Sequence, residues 1–369
     1  MSLRTDVLIV GAGPAGLATA IAAARRGFRV IVADGRKPPI DKPCGEGLLP
    51  EAVDALSAIG IKLDSTSAFP FTGIQFADEA SSASTRFARG KAFGLRRTLL
   101  HELLVHRADQ AGVSIYWGTQ ISGVESRGLR IGGQTVRYRW LVGADGWDSV
   151  VGKSAGLGSL RQYRSRFAFR RHFEVRPWTD MVEVHWEERC QMIVTPTGVD
   201  EVCVAAFSND PHMRIDRALA WFPAIARRLS GARPLSAEAG AVTSLGRARA
   251  VTRGNIALVG DASCALDGIA GQGLSLALRE ALALAEAFAR NDLASYHAAH
   301  RKITRRPALM TQLLLWMDAN EWLRRKVLRL FANKPAVFSK LMAIHTGESS
   351  QRTPEAHEIP GLGWNLPSA

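Results

Sequence analysis

Cysteine is scarce in this sequence, and the few cysteines present stand far apart. The 369-residue chain contains four, Cys44, Cys190, Cys203 and Cys264. None of them has the short spacing to another cysteine that is typical of zinc sites, and the chain is much larger than the domains that depend on disulfides. The spacing therefore predicts reduced thiols, no metal site and a cytoplasmic location.

Long hydrophobic runs are also missing. No apolar stretch reaches the roughly 18 residues that a transmembrane helix needs, so the sequence predicts no membrane span. The first apolar run begins at Val7, which leaves no room before it for a signal or transit peptide. We therefore expect a globular protein without a targeting segment.

Acidic residues are fewer than basic ones. The chain has 34 Asp and Glu against 47 Lys and Arg, and its formal net charge is +13. A basic surface attracts nucleic acids, anionic lipids or acidic substrates. Because no nucleic-acid-binding motif accompanies the charge, we expect no nucleic-acid partner, and we interpret most of the excess as a solvated basic surface.

The strongest pattern present is a glycine-rich turn near the start of the chain. Residues 7–10 are apolar and mostly β-branched, residues 11–16 read Gly-Ala-Gly-Pro-Ala-Gly, and residues 17–26 are rich in alanine. A second apolar run over residues 28–33 ends at Asp34. Strand, glycine turn, helix, strand and terminal acid together predict the βαβ unit of a dinucleotide-binding fold.

Each part of this unit has a mechanical role toward a dinucleotide. Gly11 permits the tight turn, Gly13 lets the backbone approach a pyrophosphate, and Gly16 allows close contact between helix and strand. The helix N-terminus offers free N–H groups and a positive dipole to the phosphates. Asp34 is expected to accept hydrogen bonds from the adenosine ribose.

The rest of the chain alternates between helical and strand periodicity. The patterns predict a long loop over residues 35–47, a short helix over 48–59, strands within 69–87, a helix over 93–111 and strands at 113–117 and 135–142. Alternation over residues 166–207 predicts an antiparallel meander with one face free to cover a ligand. A strand at 255–259, a helix at 273–289, further helices to 345 and a loosely ordered tail over 346–369 complete the prediction.

Two further motifs follow the first one along the chain. Residues 143–146 read Gly-Ala-Asp-Gly, and residues 260–262 read Gly-Asp-Ala ahead of a second glycine cluster, Gly271-Gln272-Gly273. With the first motif, this ordered set resembles the FAD-dependent group that contains the p-hydroxybenzoate hydroxylase-like monooxygenases and the geranylgeranyl reductase family. The resemblance covers about residues 1–290.

The resemblance implies FAD as the cofactor. It places Asp261 at the ribityl or pyrophosphate region, Arg97 on the phosphate side, and the helix after Gly273 with its positive N-terminus toward the isoalloxazine. It also places Asp145 in a turn that supports FAD and transient nicotinamide binding. The FAD-binding residues expected in full are Gly11, Gly13, Pro14, Ala15, Gly16, Asp34, Gly35, Arg36, Cys44, Gly45, Arg97, Asp145, Gly146, Gly260, Asp261, Gly271, Gln272, Gly273 and Leu274.

The resemblance also implies the fold class. It is α/β, with a Rossmann-like FAD-binding domain, an inserted and mainly antiparallel β-sheet substrate domain, and a helical C-terminal region. We expect the FAD-binding domain to comprise residues 1–66, 92–160 and 250–290, and the substrate domain residues 67–91 and 161–249. The C-terminal helices are expected over residues 291–345 and the tail over 346–369.

The reaction is less well defined than the cofactor. Because the chain has one glycine fingerprint of this kind, NAD(P)H is expected to bind transiently as the reductant. The wider group favours hydroxylation of a hydrophobic aromatic or polyketide-like small molecule. The alternatives are reduction of C=C bonds in an isoprenoid or lipid, and a non-catalytic flavin-binding or electron-transfer protein that would leave the large second sheet without a role.

The loop over residues 42–50 favours the reductases, chiefly through Pro43-Cys44-Gly45. Cys44 is a candidate catalytic thiol and Glu46 a candidate acid–base group. The alternatives are a small residue packed in a turn and a salt-bridge partner within the loop. The turn before Gln272 lacks the prolines usual in hydroxylases, and Gln272 itself stands where reductases tend to have glutamate, so both reactions stay open.

Residues outside these motifs add weaker indications. His172 and His185 lie on predicted strands of the substrate domain and are considered as general acids or bases, although strand histidines are more often satisfied polar residues. The aromatic residues expected to form a pocket wall or core are Phe167, Phe169, Trp178 and Trp186. The C-terminal helices are basic and amphipathic, and packing of their apolar faces on the FAD-binding domain is favoured over peripheral contact with an anionic membrane.

Overall fold

The computed structural model describes residues 3–88, 90–119, 121–125, 128–157, 164–188 and 190–347. The helices within them are α1 (Pro14–Ala24), α2 (Pro50–Ala58), α3 (Arg97–Gln110), α4 (Val150–Ser154), α5 (Ile215–Leu219), α6 (Pro223–Arg228), α7 (Gly273–Ala289), α8 (Leu293–Ala319), α9 (Glu321–Asn333) and α10 (Pro335–His345). None of the helices described is long and apolar enough to cross a membrane.

The strands of the described residues are numbered along the chain. They are β1 (Leu3–Val10), β2 (Val30–Asp34), β3 (Gly47–Leu48), β4 (Phe69–Phe71), β5 (Gly73–Ala77), β6 (Ser82–Arg86), β7 (Ala92–Gly94), β8 (Ser114–Trp117), β9 (Ile121–Glu125), β10 (Gly128–Ile131), β11 (Gln134–Gly143), β12 (Arg164–Glu174), β13 (Met181–Trp186), β14 (Cys190–Gly198), β15 (Glu201–Ser208), β16 (Arg233–Pro234), β17 (Ala239–Arg247), β18 (Thr252–Arg253), β19 (Ile256–Leu258) and β20 (Cys264–Ala265).

The first sheet has the order β18-β19-β11-β1-β2-β8, with β10 on β11 and β9 on β10. Its inner neighbours β19, β11, β1, β2 and β8 are all parallel. The alanine-rich helix α1 packs with α3 and α7 against this sheet, around core residues that include Val7, Ile9 and Leu17. Parallel strands covered by helices form the predicted Rossmann-like layer.

The second sheet has the order β20-β17-β12-β15-β14-β13-β5-β6. A small third sheet has the order β3-β7-β4. The pairs from β12 to β15 are antiparallel, as the meander prediction requires, whereas β5 pairs with β13 in parallel. The fold class is therefore confirmed as α/β with a mainly antiparallel second sheet and a helical C-terminal region. The domain boundaries given above stay predictions.

Two predicted elements differ in the structure. The helix predicted over residues 93–111 begins only at Arg97, because Ala92–Gly94 forms β7 and pairs with β3 and β4. The predicted tail lies outside the described residues apart from Thr346 and Gly347, which form a turn after α10. Helices α8–α10 contribute buried Leu314, Leu328 and Phe338 to a core shared with the second sheet, because α9 and α10 lie against β6. Their apolar faces are therefore buried, but mainly against the second sheet and not, as predicted, against the FAD-binding domain, which receives buried Tyr296 from near the start of α8.

Candidate flavin and substrate site

The carboxyl ends of the central parallel strands meet at one edge of the first sheet. Val10 pairs with Ala33 on one side and with Gly143 on the other, and Gly143 pairs with Leu258. The residues that follow these strands, among them Gly11 and Asp34, therefore converge at this edge. Open α/β sheets bind their ligands at such an edge.

The three fingerprint glycines have different surroundings. A Cβ on Gly11 would lie 2.3 Å from Ala144 O, and one on Gly16 would lie 1.9 Å from Gly11 O. Gly11 also has a φ of +105°, which disfavours any side chain. Gly13 has a φ of −72°, and a Cβ there would meet nothing within 4 Å. Gly11 and Gly16 are thus required by the turn itself, whereas Gly13 borders open space at the start of α1, where a phosphate group fits.

Asp34, at the end of β2, borders the glycine turn over residues 11–16, which we call the cradle. Its carboxylate is buried and accepts hydrogen bonds from the backbone N–H groups of Ala12 and Arg36, both at 2.8 Å. A carboxylate offers about four lone-pair sites, so Asp34 retains acceptor capacity for ribose hydroxyls. The following residues Gly35 and Arg36 are exposed at the rim.

The Asp145 carboxylate mainly accepts hydrogen bonds from the start of helix α4. Its Oδ1 accepts from Ser149 Oγ at 2.5 Å, and its Oδ2 accepts from Val150 N at 2.7 Å, so the carboxylate holds the first turn of α4. Gly146, with a φ of +83°, completes the turn. A role of Asp145 toward FAD or nicotinamide stays a prediction.

The Gly260-Asp261-Ala262 motif is held by a buried glutamate, Glu280, that was not predicted from the sequence. Glu280 on α7 is fully buried and accepts from Gly260 N at 2.7 Å and Ser263 Oγ at 3.0 Å, while His300 on α8 lies 3.2 Å from its other oxygen. An acid within the apolar face of a helix could have indicated it. On the open side, Asp261 forms an ion pair with Lys42 at 2.5 Å.

The side chain of Arg97 gives the clearest indication of an anion-binding position. The side chain is buried at the start of α3, and its Nη1 has no hydrogen-bond partner among the described residues. Burial lowers the pKa of the guanidinium, which shows that its charge is poorly solvated. A buried cation is normally paired, and the phosphates of FAD fit this requirement.

The turn before α7 is hydrogen-bonded to the end of helix α10. Gly271 has a φ of +61°, Gln272 Nε2 donates to His345 O at 2.8 Å, and His345 Nε2 donates to Ala270 O at 3.1 Å. Gly273 begins a 17-residue helix, so its N-terminus presents a positive dipole at this turn. Such a dipole suits a flavin ring that becomes negative on reduction.

His345 makes the free energy of unfolding depend on pH. Burial lowers its pKa from 6.5 to about 4, so the folded protein holds the neutral imidazole while the unfolded chain takes up a proton below pH 6.5. The stabilisation is complete above pH 6.5 and is lost as the pH falls toward 4. We expect wild type to lose about 2 kcal/mol more than His345→Gln between pH 7 and 5, measured by urea unfolding at both pH values. Equal losses in the two proteins would contradict this.

Glu46, in the loop after Asp34, belongs to a buried ionic cluster with Arg170 and His172. Glu46 has a φ of +59°, its side chain is fully buried, and its Oε1 accepts from Arg170 Nη1 at 2.8 Å and from Arg97 N at 3.1 Å. His172 Nε2 donates to its Oε2 at 2.5 Å. Glu46 is thus a salt-bridge partner, the alternative that the sequence analysis left open, although the partners come from the second sheet and not from its own loop.

The remaining contacts complete this cluster. Arg170 also pairs with Asp41 at 2.6 Å, and His172 Nδ1 lies 2.9 Å from Ser236 Oγ. Cys203 lies close enough for its sulfur to join Glu46 and His172 within 4.8 Å of one another. Burial raises the pKa of the Cys203 thiol well above its ordinary value. Because Arg170 and His172 already engage both oxygens of Glu46, the arrangement is an ion-pair cluster.

Cys44 stands beside this cluster. Its Sγ accepts from Glu46 N at 3.3 Å, and burial raises the pKa of the thiol. Gly45 next to it borders open space, since a Cβ there would meet nothing within 4 Å. Cys44 is therefore a neutral thiol beside Glu46 and Cys203, which is consistent with both interpretations of the loop.

Other predicted residues divide between this site and the far side of the second sheet. Pro14 and Ala15 form the first turn of α1, and Leu274 packs on the core below it. His185 lies 3.1 Å from Glu183, and that carboxylate also accepts from Trp178 Nε1, so neither residue belongs to the site. Phe167 and Phe169 pack in a separate core with α5 and α6. Trp186 lies in the core that includes Ile269 and Ala270 of the turn over residues 268–273, which we call the flavin turn.

These features define a class of protein. A glycine cradle at the carboxyl edge of a parallel sheet, a buried arginine whose Nη1 has no partner among the described residues, and the helix N-terminus at Gly273 fit a two-phosphate cofactor with a redox ring, as in FAD-dependent oxidoreductases. The family model described as "FAD binding domain" matches residues 4–294, and the chain belongs to this family. The cofactor is FAD, and the protein is an FAD-dependent oxidoreductase.

Curated relatives span most of the chain. It is 28% identical to the menaquinone reductase of Mycolicibacterium smegmatis over 327 residues, which are 81% of this chain and 80% of that protein. It is 27% identical to the ubiquinone hydroxylase UbiL of Rhodospirillum rubrum, over 76% of this chain and 71% of that protein. The relatives thus include both a reductase and a hydroxylase.

Solved structures share the architecture. A flavoprotein/dehydrogenase from Cytophaga hutchinsonii superimposes with a TM-score of 0.81 at 20% identity, covering 94% of both chains. The p-nitrophenol 4-monooxygenase PnpA from Pseudomonas putida also gives 0.81, at 17% identity, covering 95% of this chain and 98% of that one. At such identities the likeness establishes the fold alone.

Proposed function

We propose that this FAD-dependent oxidoreductase is an NAD(P)H-dependent monooxygenase that hydroxylates a hydrophobic ring compound bearing a phenolic or quinone oxygen. Bound FAD would supply the two-electron chemistry. The overall reaction would consume one O2, one NAD(P)H and one proton, and it would yield the hydroxylated ring, water and NAD(P)+. The observation that carries the proposal is the buried amide of Gln191, which has no hydrogen-bond partner in the part of the chain that the structure describes.

The wall is one face of the second sheet. Strand pairing places Ala168, Phe207, Gln191 and Trp186 in one row across β12, β15, β14 and β13. Except for Gln191, these residues share an apolar core with Ile269 and Ala270 of the flavin turn. A Cβ on Gly268 would lie 2.5 Å from the Phe207 ring, so this row contacts the turn directly.

Gln191 interrupts this apolar surface. Its neighbours Cys190 and Met192 point into the core on the opposite face, so alternation directs Gln191 toward the flavin turn. The side chain is completely buried, and neither its Oε1 nor its Nε2 has a hydrogen-bond partner among the described residues. Trp186 pairs with Gln191 across the strands, and its indole Nε1 likewise has no partner within the described segments.

Unpaired buried polar groups cost roughly 1–3 kcal/mol each, and native proteins rarely keep them without a reason. A ring oxygen of a hydrophobic substrate would accept from the Gln191 amide or from the Trp186 indole, while the apolar residues around them would exclude water. The two curated relatives support this choice of substrate, because their names specify quinones, menaquinone and ubiquinone.

Reduction of a C=C bond is the second candidate function, and Cys44 favours it. Adding hydrogen across a double bond takes a hydride from NAD(P)H by way of the cofactor and a proton from the protein or from water. The protonated thiol of Cys44, beside Glu46, would hold such a proton. The menaquinone reductases among the relatives agree with this alternative.

The test is NAD(P)H oxidation by the FAD-loaded protein with phenols, quinones and prenyl lipids, in air and without oxygen. Hydroxylation predicts oxygen-dependent turnover and a product heavier by one oxygen atom. Turnover that persists anaerobically and saturates a prenyl chain would replace this proposal by the reductase alternative.

Gln191→Leu separates substrate binding from structure. Removing an unsatisfied buried amide is expected to raise the free energy of unfolding by about 1 kcal/mol and to raise KM about tenfold for a substrate whose ring oxygen it binds. The matched control is Ile193→Val, on the same strand face but apolar, which should leave KM unchanged. A destabilised Gln191→Leu protein with unchanged KM would assign the amide a structural role.

A further inference from the structure

The C-terminal helices carry a basic surface with exposed tryptophans that is not used by the flavin site. From Leu293 to His345 the sequence has ten Lys and Arg against two acidic residues, Asp318 and Glu321. Trp316 on α8 and Trp322 on α9 are 58% and 65% exposed, on either side of the bend at Asn320. We propose that this surface, comprising the exposed faces of α8, α9 and α10, binds an anionic lipid membrane.

The exposed apolar residues follow the solvent side of each helix. On α8, the exposed positions Lys302, Arg305, Leu309, Gln312 and Trp316 are spaced by three and four residues, which places them in one stripe. On α9, Trp322, Lys326, Arg329 and Asn333 form a similar stripe, with Leu330 beside it. The opposite faces are buried in the core, so these stripes are not needed for packing.

The charges on this surface are available for binding. The exposed basic side chains of α8–α10 are Arg301, Lys302, Arg305, Lys326, Arg329, Lys334 and Lys340. Within the described part of the chain, none of them forms an ion pair with a carboxylate. Lys326 Nζ instead lies 3.9 Å from the centre of the Trp322 ring. Each basic residue near an anionic bilayer contributes to attraction, and tryptophan favours the interface between lipid and water.

A protein partner fits this surface less well. Protein interfaces are depleted of lysine and concentrate their apolar residues in a continuous core. Here four of the seven exposed basic side chains are lysines, and they alternate along the helices with the exposed apolar residues. An amphipathic surface with lysine and arginine around tryptophan and leucine is typical of interfacial membrane binding.

The surface is also connected to the reactive end of the cofactor site. α10 ends at His345, which donates to Ala270 O, and α8 packs against the same turn. The helices that carry the surface thus also support the flavin turn, through their buried faces. Membrane binding itself does not depend on which ring or chain the enzyme modifies.

The experiment is co-sedimentation of the full-length FAD-loaded protein with vesicles of phosphatidylcholine alone and of phosphatidylcholine with one quarter phosphatidylglycerol. We expect binding to the anionic vesicles only, weakening as NaCl is raised. Trp316→Ser with Trp322→Ser should reduce the affinity about tenfold, and Arg329→Gln with Lys334→Gln about 30-fold.

The matched control is Val199→Ser with Val242→Ser, which removes exposed apolar side chains of the second sheet and should leave vesicle binding unchanged. Gel filtration and FAD content are measured for every variant. Equal binding to both vesicle types, no binding, or an unchanged tryptophan variant would overturn the proposal. If wild type is a dimer in gel filtration and the tryptophan variant is a monomer, the surface binds a second copy of the chain and not a membrane.

Discussion

Replacing Gly13 by valine is expected to leave the protein folded and to remove most of its affinity for FAD. The backbone at Gly13, with φ −72° and ψ 179°, is open to any residue, and a Cβ meets nothing within 4 Å. The side chain would therefore occupy the space in which the pyrophosphate approaches α1. We expect the FAD dissociation constant to rise about 100-fold, equivalent to about 2.7 kcal/mol.

The measurement is FAD titration of the apoprotein, followed by flavin fluorescence, with unfolding of the apoprotein measured in parallel. The stability of the Gly13→Val apoprotein should fall by no more than about 1 kcal/mol, the usual cost of a poor N-cap. Gly16→Ala provides the contrast, because its Cβ would lie 1.9 Å from Gly11 O and must distort the turn. That variant should lose stability as well as FAD. Normal FAD affinity in Gly13→Val would show that the cofactor does not approach this turn.

Glu46→Gln is expected to lower the free energy of unfolding by about 3 kcal/mol, because it leaves buried charge without its partner. An amide in place of the carboxylate turns an N–H group toward the donors of Arg170 and His172, which now both contact Glu46. Since the backbone of Arg97 also donates to Glu46, we expect weaker FAD retention in the same variant.

Asp41→Asn is the matched control. Asp41 also pairs with Arg170, but its side chain is 40% exposed, and exposed pairs contribute about 0–1 kcal/mol. Urea unfolding of both variants tests this difference. In Glu46→Gln combined with Arg170→Met, the isolated charge is removed, so part of the stability should return. If Glu46→Gln unfolds like wild type, the cluster does not stabilise the junction between loop and sheet.

The cofactor end of the site could be predicted because its determinants are local in sequence. Gly11, Gly13 and Gly16 lie within six residues, and Asp34 follows at the end of the next strand. Strand, turn and helix are fixed by neighbouring residues, so the motif predicts its own geometry. Arg97 required the family resemblance, and the structure adds the observation that its buried Nη1 has no partner among the described residues.

The arrangement of buried polar groups around the second sheet could not be predicted in this way, because the residues concerned are distant in sequence. Glu46 and Arg170 are 124 residues apart, and both are charged types that a sequence pattern assigns to the surface. Gln191 looked like an ordinary polar residue in a strand of the meander. The role proposed for it rests on its complete burial next to Phe207, which contacts Gly268, and on the absence of hydrogen-bond partners among the described residues.

The sequence by itself determined the class of fold, the cofactor and the position of the phosphate cradle, since glycine spacing and strand periodicity depend on short stretches of chain. Only the tertiary structure decided what faces the flavin turn. It paired Glu46 with Arg170 and His172, placed His185 and Trp178 on the far side of the sheet, and left Trp316 exposed while burying the opposite face of its helix. These outcomes depend on how distant segments pack, because a side chain gains its partners and its solvent exposure only when the sheets and helices meet.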